Sequence, residues 1–168
     1  MLLYEMFLED SEPSLPTLEQ ARTQLPEILR RAQADYDHWD ESDQDTYAGG
    51  GICHIIADSI CDVLYDAGIE CMPVSCSYEQ HVYVVARLEE GIYQIDIPYH
   101  VYEQGGGFSW KKLPDIVFGE RDVIFYKISG DPDDWHNYVD DVMENMDHSK
   151  DDQAVPELKA ALLARKEK

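Results

Sequence analysis

Between Cys53 and Tyr99 the apolar residues change their period once. Ile56, Ile60, Val63, Leu64 and Ala67 recur at helical spacing after Cys53, and Gly68 stands where a helix C-cap belongs. From Ile69 the pattern is that of strands. Ile69 to Ser75 is one, His81 to Leu88 alternates around Val82, Val84 and Ala86, and Ile92 to Tyr99 follows the turn Glu89-Glu90-Gly91. A helix feeding a run of strands joined by short turns implies an α+β fold with a small antiparallel sheet.

The flanks read as helical. Thr17 and Gln20 have capping-box spacing, and Leu18, Ala21, Leu25, Ile28, Leu29 and Ala32 follow at helical intervals. Pro26 removes one helical hydrogen bond, which predicts a kink or two short helices. The acidic stretch Asp35 to Asp45 reads as a loop, Met1 to Leu8 as a short strand or edge segment, and Gly105 to Gly107 as a flexible loop. Val117 and Val123 to Ile128 suggest more strand. Asp131-Pro132 opens a C-terminal helix carrying Trp135, Tyr138, Val139, Val142, Met143 and Met146, and Pro156 to Arg165 predicts another. A chain of 168 residues with no repeat and no long linker is expected to be a single domain. Its core would span 47–130, with an N-terminal helical segment over 14–38 and C-terminal helices over 131–168.

Charge narrows the partners. Against 13 Lys plus Arg stand 35 Asp plus Glu, a formal net charge of −22 spread over the whole chain. Such a surface repels phosphate backbones and argues against direct nucleic-acid binding. It suits a basic partner, solubility at high salt, or imitation of nucleic acid. No apolar run has the length a membrane span needs, and Met1 to Asp10 lacks the basic region of a secretory signal. Four cysteines are too few for a disulfide scaffold, so the expected setting is cytoplasmic with reduced thiols.

Chemistry concentrates between Gly49 and Tyr99. Cys53 follows three glycines and begins a helix, whose free amides stabilise a thiolate and can bind the oxyanion of a tetrahedral intermediate. A thiolate nucleophile gains from an imidazole, and the imidazole from a carboxylate that fixes its tautomer. His81 opens a strand and Asp96 lies on the next. If the hairpin turns tightly at Leu88 to Gly91, the two side chains share a sheet face, opposite each other or one diagonal step apart.

This arrangement resembles the transglutaminase-like branch of the papain-like thiol enzymes. The matching pieces are Gly51-Ile52-Cys53, Ala57, Leu64, Ala67-Gly68-Ile69, His81-Val82-Tyr83-Val84 and Gly91-Ile92-Tyr93-Gln94-Ile95-Asp96-Ile97-Pro98, under a third of the chain. The resemblance implies a nucleophile-bearing helix packed on a small antiparallel sheet. It also implies Cys53 as nucleophile, His81 as general base and acid, and Asp96 as the orienting carboxylate. Tyr83 stands where the family usually has tryptophan, and Ile97 separates Asp96 from a proline that is usually adjacent. Gln44 is the candidate oxyanion donor, with Gly51 and Trp39 as candidates to line the cleft.

The implied activity is cysteine-dependent attack on an amide bond of a protein or peptide, for which the acidic surface suggests a basic substrate. Hydrolysis by a peptidase or deamidase is favoured over transfer to an amine, with no cofactor and no metal. Zinc is disfavoured because Cys71 and Cys76 have opposite parity on one strand. Calcium is disfavoured because Asp37, Asp40, Asp43 and Asp45 lack EF-hand order. Cys61, Cys71 and Cys76 read as structural. The competing reading is a non-catalytic acidic protein that occupies a basic or nucleic-acid-binding surface.

Overall fold

The computed structural model describes residues 13–40, 52–76, 81–104 and 111–148. Helix α1 (Leu18–Arg22) opens with the expected capping box. Thr17 Oγ1 accepts from the Gln20 amide at 3.1 Å, while Gln20 Oε1 accepts from the Thr17 amide at 2.8 Å. Pro26 falls in the first turn of helix α2 (Leu25–His38), where a missing N–H breaks no helical bond, so the segment divides into two helices. Leu25, Ile28, Ala32 and Tyr36 form the buried face of α2.

Helix α2 continues through Asp35 to His38, which corrects the loop expected there. The reason is tertiary. Ser59 Oγ donates to Asp35 Oδ2 at 2.5 Å, and the buried Tyr36 donates its hydroxyl to the Leu113 carbonyl. These contacts hold the last turn against the charge density that favoured a loop. The remainder of that acidic stretch, from residue 41, lies outside the described residues.

Helix α3 (Cys53–Asp66) buries Ile56, Ala57, Ile60, Cys61, Val63 and Leu64. It ends at Ala67. Gly68 follows at φ +80°, a left-handed conformation that glycine takes without a Cβ penalty, and the Ile69 amide returns to the Leu64 carbonyl at 3.0 Å.

Strands β1 (Cys71–Cys76), β2 (His81–Leu88), β3 (Gly91–Asp96) and β6 (Ile124–Ser129) form one antiparallel sheet in the order β1-β2-β3-β6. A separate two-stranded ribbon pairs β4 (Glu103–Gln104) with β5 (Lys111–Lys112). β3 stops at Asp96, short of the expected Tyr99. Pro98 cannot extend a ladder, and Tyr99–Val101 forms a 3₁₀ turn instead. Val117 belongs to no strand and is 81% exposed.

Helix α4 (Trp135–His148) follows a 3₁₀ turn at Pro132–Asp134, whose start is capped by Asp131 Oδ1 accepting from the Asp133 amide at 2.9 Å. Trp135 and Val139 are buried, with Tyr138 and Val142 packed against the core. Arg87 pins this corner, donating from Nε to the Pro132 carbonyl at 2.8 Å. The expected segments at Met1 to Leu8 and Pro156 to Arg165, the glycine runs at 49–51 and 105–107, and the side chains of Met143 and Met146 lie outside the described residues.

The result is a mixed α+β architecture with a small antiparallel sheet. Among the described residues, helices and sheet share one buried apolar cluster, no helix is long and apolar enough to cross a membrane, and no group of acidic, histidine or cysteine side chains could hold a metal ion.

Candidate active site

Three ends of secondary structure meet at the site. Cys53 is the first residue of α3, His81 the first of β2, and Asp96 the last of β3. The β2–β3 register pairs Leu88 with Gly91 and Val84 with Ile95. One step further along that register, Tyr83 is level with Asp96, so His81 lies one diagonal step away on the same face.

The diagonal brings the side chains into contact. His81 Nε2 donates to Asp96 Oδ2 at 2.8 Å, and each side chain is only 5% exposed. Cys53, which is half-buried, lies close enough to the same ring to act on its charge. With Nε2 committed to Asp96, Nδ1 is the nitrogen left for the thiol, and it is buried with no hydrogen-bond partner among the described residues. Tyr99 packs edge-on to the imidazole with ring centroids 5.5 Å apart.

Burial opposes a charge on His81. The hydrogen bonds and charges of Asp96 and Cys53 outweigh it and raise the imidazole from 6.5 to about 10. At neutral pH the ring is therefore held as imidazolium, between a carboxylate and a sulfur.

Glu103 is a member of this site that the sequence did not single out. Its carboxylate is buried, and Oε1 accepts from the Ile52 amide at 3.0 Å. Ile52 is the N-cap of α3 and has no side-chain cap of its own. Glu103 thus supplies, from 51 residues away, the acceptor that the N3 Glu or Gln of a capping box provides locally. Burial drives its carboxyl up to about 7, against the opposing pull of the Ile52 hydrogen bond and the His81 charge.

Tyr102 is fully buried beside Glu103, and its hydroxyl has no hydrogen-bond partner among the described residues. Burial first, then the charges of Cys53, Glu103 and Asp96, push its pKa well up, so it stays a neutral donor. Its ring continues an aromatic cluster with Tyr36 and Phe118, at centroid distances of 6.4 and 6.1 Å.

Trp39, expected near the cleft, is 7% exposed and tilted against Tyr36 at 6.1 Å. Its carbonyl accepts from Lys112 Nζ at 3.1 Å, while its indole N–H has no partner among the described residues. Gln44 and Gly51 lie outside the described residues.

No family model, no curated protein and no solved structure matches this chain.

Proposed function

We propose that the protein is a cysteine-dependent hydrolase of amide bonds with a transglutaminase-like, papain-like core, acting on a protein or peptide. The observation that carries this reading is the buried 2.8 Å bond from His81 to Asp96, with the same imidazole facing the thiol at the start of α3. A cysteine that is merely structural has no use for a charged, carboxylate-oriented ring.

In this mechanism the Cys53 thiolate attacks the carbonyl carbon. The oxyanion of the tetrahedral intermediate takes hydrogen bonds from backbone amides at the α3 terminus. His81 Nδ1–H protonates the departing amine, and Asp96 keeps the ring oriented while it does so. The thioester then passes to water, with neutral His81 accepting the water's proton. An amine in place of water would make the protein a transferase. A deamidase would release ammonia and a peptidase a new amino terminus. The small number of cysteines accords with a cytoplasmic setting.

The net charge of −22 favours a basic substrate, and it equally supports the alternative of an acidic protein that acts by binding alone. Incubating the purified chain with basic peptides, and measuring ammonia and new amino termini, separates the two. Turnover that disappears in Cys53→Ala supports the enzyme, and a KM that rises with salt supports the basic substrate. Binding without turnover, unchanged in Cys53→Ala, supports the binding protein and overturns the enzyme.

A further inference from the structure

Cys61 lies on α3 eight residues beyond Cys53, about 12 Å along the helix axis. It faces Cys71, the first residue of β1, which pairs with Ala86 in the sheet beneath. Their exposures are 0% and 5%, and their sulfur atoms are 3.1 Å apart. Cys71 Sγ also donates to the Cys61 carbonyl at 3.3 Å, which holds the second sulfur over the helix backbone. Both thiols are reduced.

A disulfide needs a sulfur–sulfur distance near 2.05 Å, so closing this pair requires the atoms to approach by about 1 Å. The contact also joins two different elements. One thiol is in the middle of the helix that carries Cys53, and the other starts an edge strand of the sheet. Van der Waals packing of small hydrophobic side chains does not call for two sulfurs at one contact, since alanine or valine would serve.

We propose that Cys61 and Cys71 are a dithiol–disulfide couple, closed by a peroxide-class oxidant into a bond that ties α3 to β1. One thiolate attacks the peroxide O–O bond, giving a sulfenic acid and releasing hydroxide, which takes up a proton as water. The second thiolate then attacks the sulfenic sulfur, forming the S–S bond and expelling hydroxide, again protonated to water. The two thiols lose two electrons and two protons in all, and the peroxide is reduced to two waters. This couple does not depend on the role of Cys53.

The test uses the full-length wild-type chain, treated with hydrogen peroxide under conditions that fully oxidise a control dithiol. A second sample is refolded from urea with oxidised glutathione, so that burial does not limit access. Both are denatured in iodoacetamide and mapped as unreduced peptides. The expected result, in either sample, is a linked peptide pair containing Cys61 and Cys71 that separates on reduction. Recovery of both cysteines alkylated in both samples overturns the couple. So does a linkage of either one to Cys53 or Cys76 in place of their own.

Discussion

His81 and Asp96 meet across one diagonal of the β2–β3 hairpin, 2.8 Å apart and both 5% exposed. The contact belongs to the hairpin register, since a one-residue slip would send the two side chains to opposite faces. Removing the carboxylate leaves a buried imidazole with no acceptor at Nε2. Asp96→Ala should therefore destabilise the fold by about 2–4 kcal/mol, read from urea denaturation. Asp96→Asn, which keeps shape and an acceptor oxygen, should recover much of the stability while lowering any turnover.

Stability should depend on pH through two buried groups with separate windows. His81 has a folded pKa near 10 against 6.5, so its contribution is complete below pH 6.5 and is lost as pH rises towards 10. Glu103 has a folded pKa near 7 against 4.5. Its neutral form is favoured in the fold, so stability associated with it is complete below pH 4.5 and is lost as pH rises to 7. Denaturation curves from pH 4.5 to 10 should show His81→Ala flattening the upper window and Glu103→Gln the lower one. A His81→Ala profile parallel to the wild type above pH 7 would contradict the assignment.

Glu103 also serves as the distant cap of α3. Glu103→Gln keeps an acceptor for the Ile52 amide and should fold normally. Glu103→Ala leaves that buried amide unmet and should cost about 1–3 kcal/mol. Hydrogen exchange at the Ile52 amide gives a local readout, with faster exchange expected in Glu103→Ala alone.

Cys53 should be the fast thiol. At pH 6, iodoacetamide should modify it at least about 100-fold faster than Cys61 or Cys71, both of which are buried. His81→Ala should remove most of that advantage. Equal labelling of all three cysteines would count against an imidazole-assisted thiolate.

Much of this was legible in local pattern. The capping box at Thr17, the split at Pro26, the helix from Cys53 and the hairpin with His81 and Asp96 on one face each depend on neighbours a few residues apart. What escaped depends on the chain crossing itself. Asp35 to His38 read as a loop because their charges are visible in sequence and the Ser59 hydroxyl that binds Asp35 is not. Glu103 escaped for the same reason, since its partner amide lies 51 residues away. Tyr99 falls outside the strand because Pro98 before it cannot extend the ladder.

The hairpin turn offers a check on the scaffold. Gly91 has φ +138°, and a Cβ there would lie 2.0 Å from the Ser129 carbonyl oxygen. Gly91→Ala must shift either β3 or β6, and should lower stability by at least about 2–3 kcal/mol in urea denaturation.

The passage from Asp96 to Glu103 has a practical consequence for anyone wishing to move this site. In seven steps the chain leaves the carboxylate that orients His81 and reaches the one that holds the amide ahead of Cys53. A graft of α3 and the β2–β3 hairpin alone would carry Cys53, His81 and Asp96 and leave the helix start unanchored. Any transplanted unit must therefore include Ile52 through Glu103, and a residue inserted between positions 97 and 102 would detune a site it never touches.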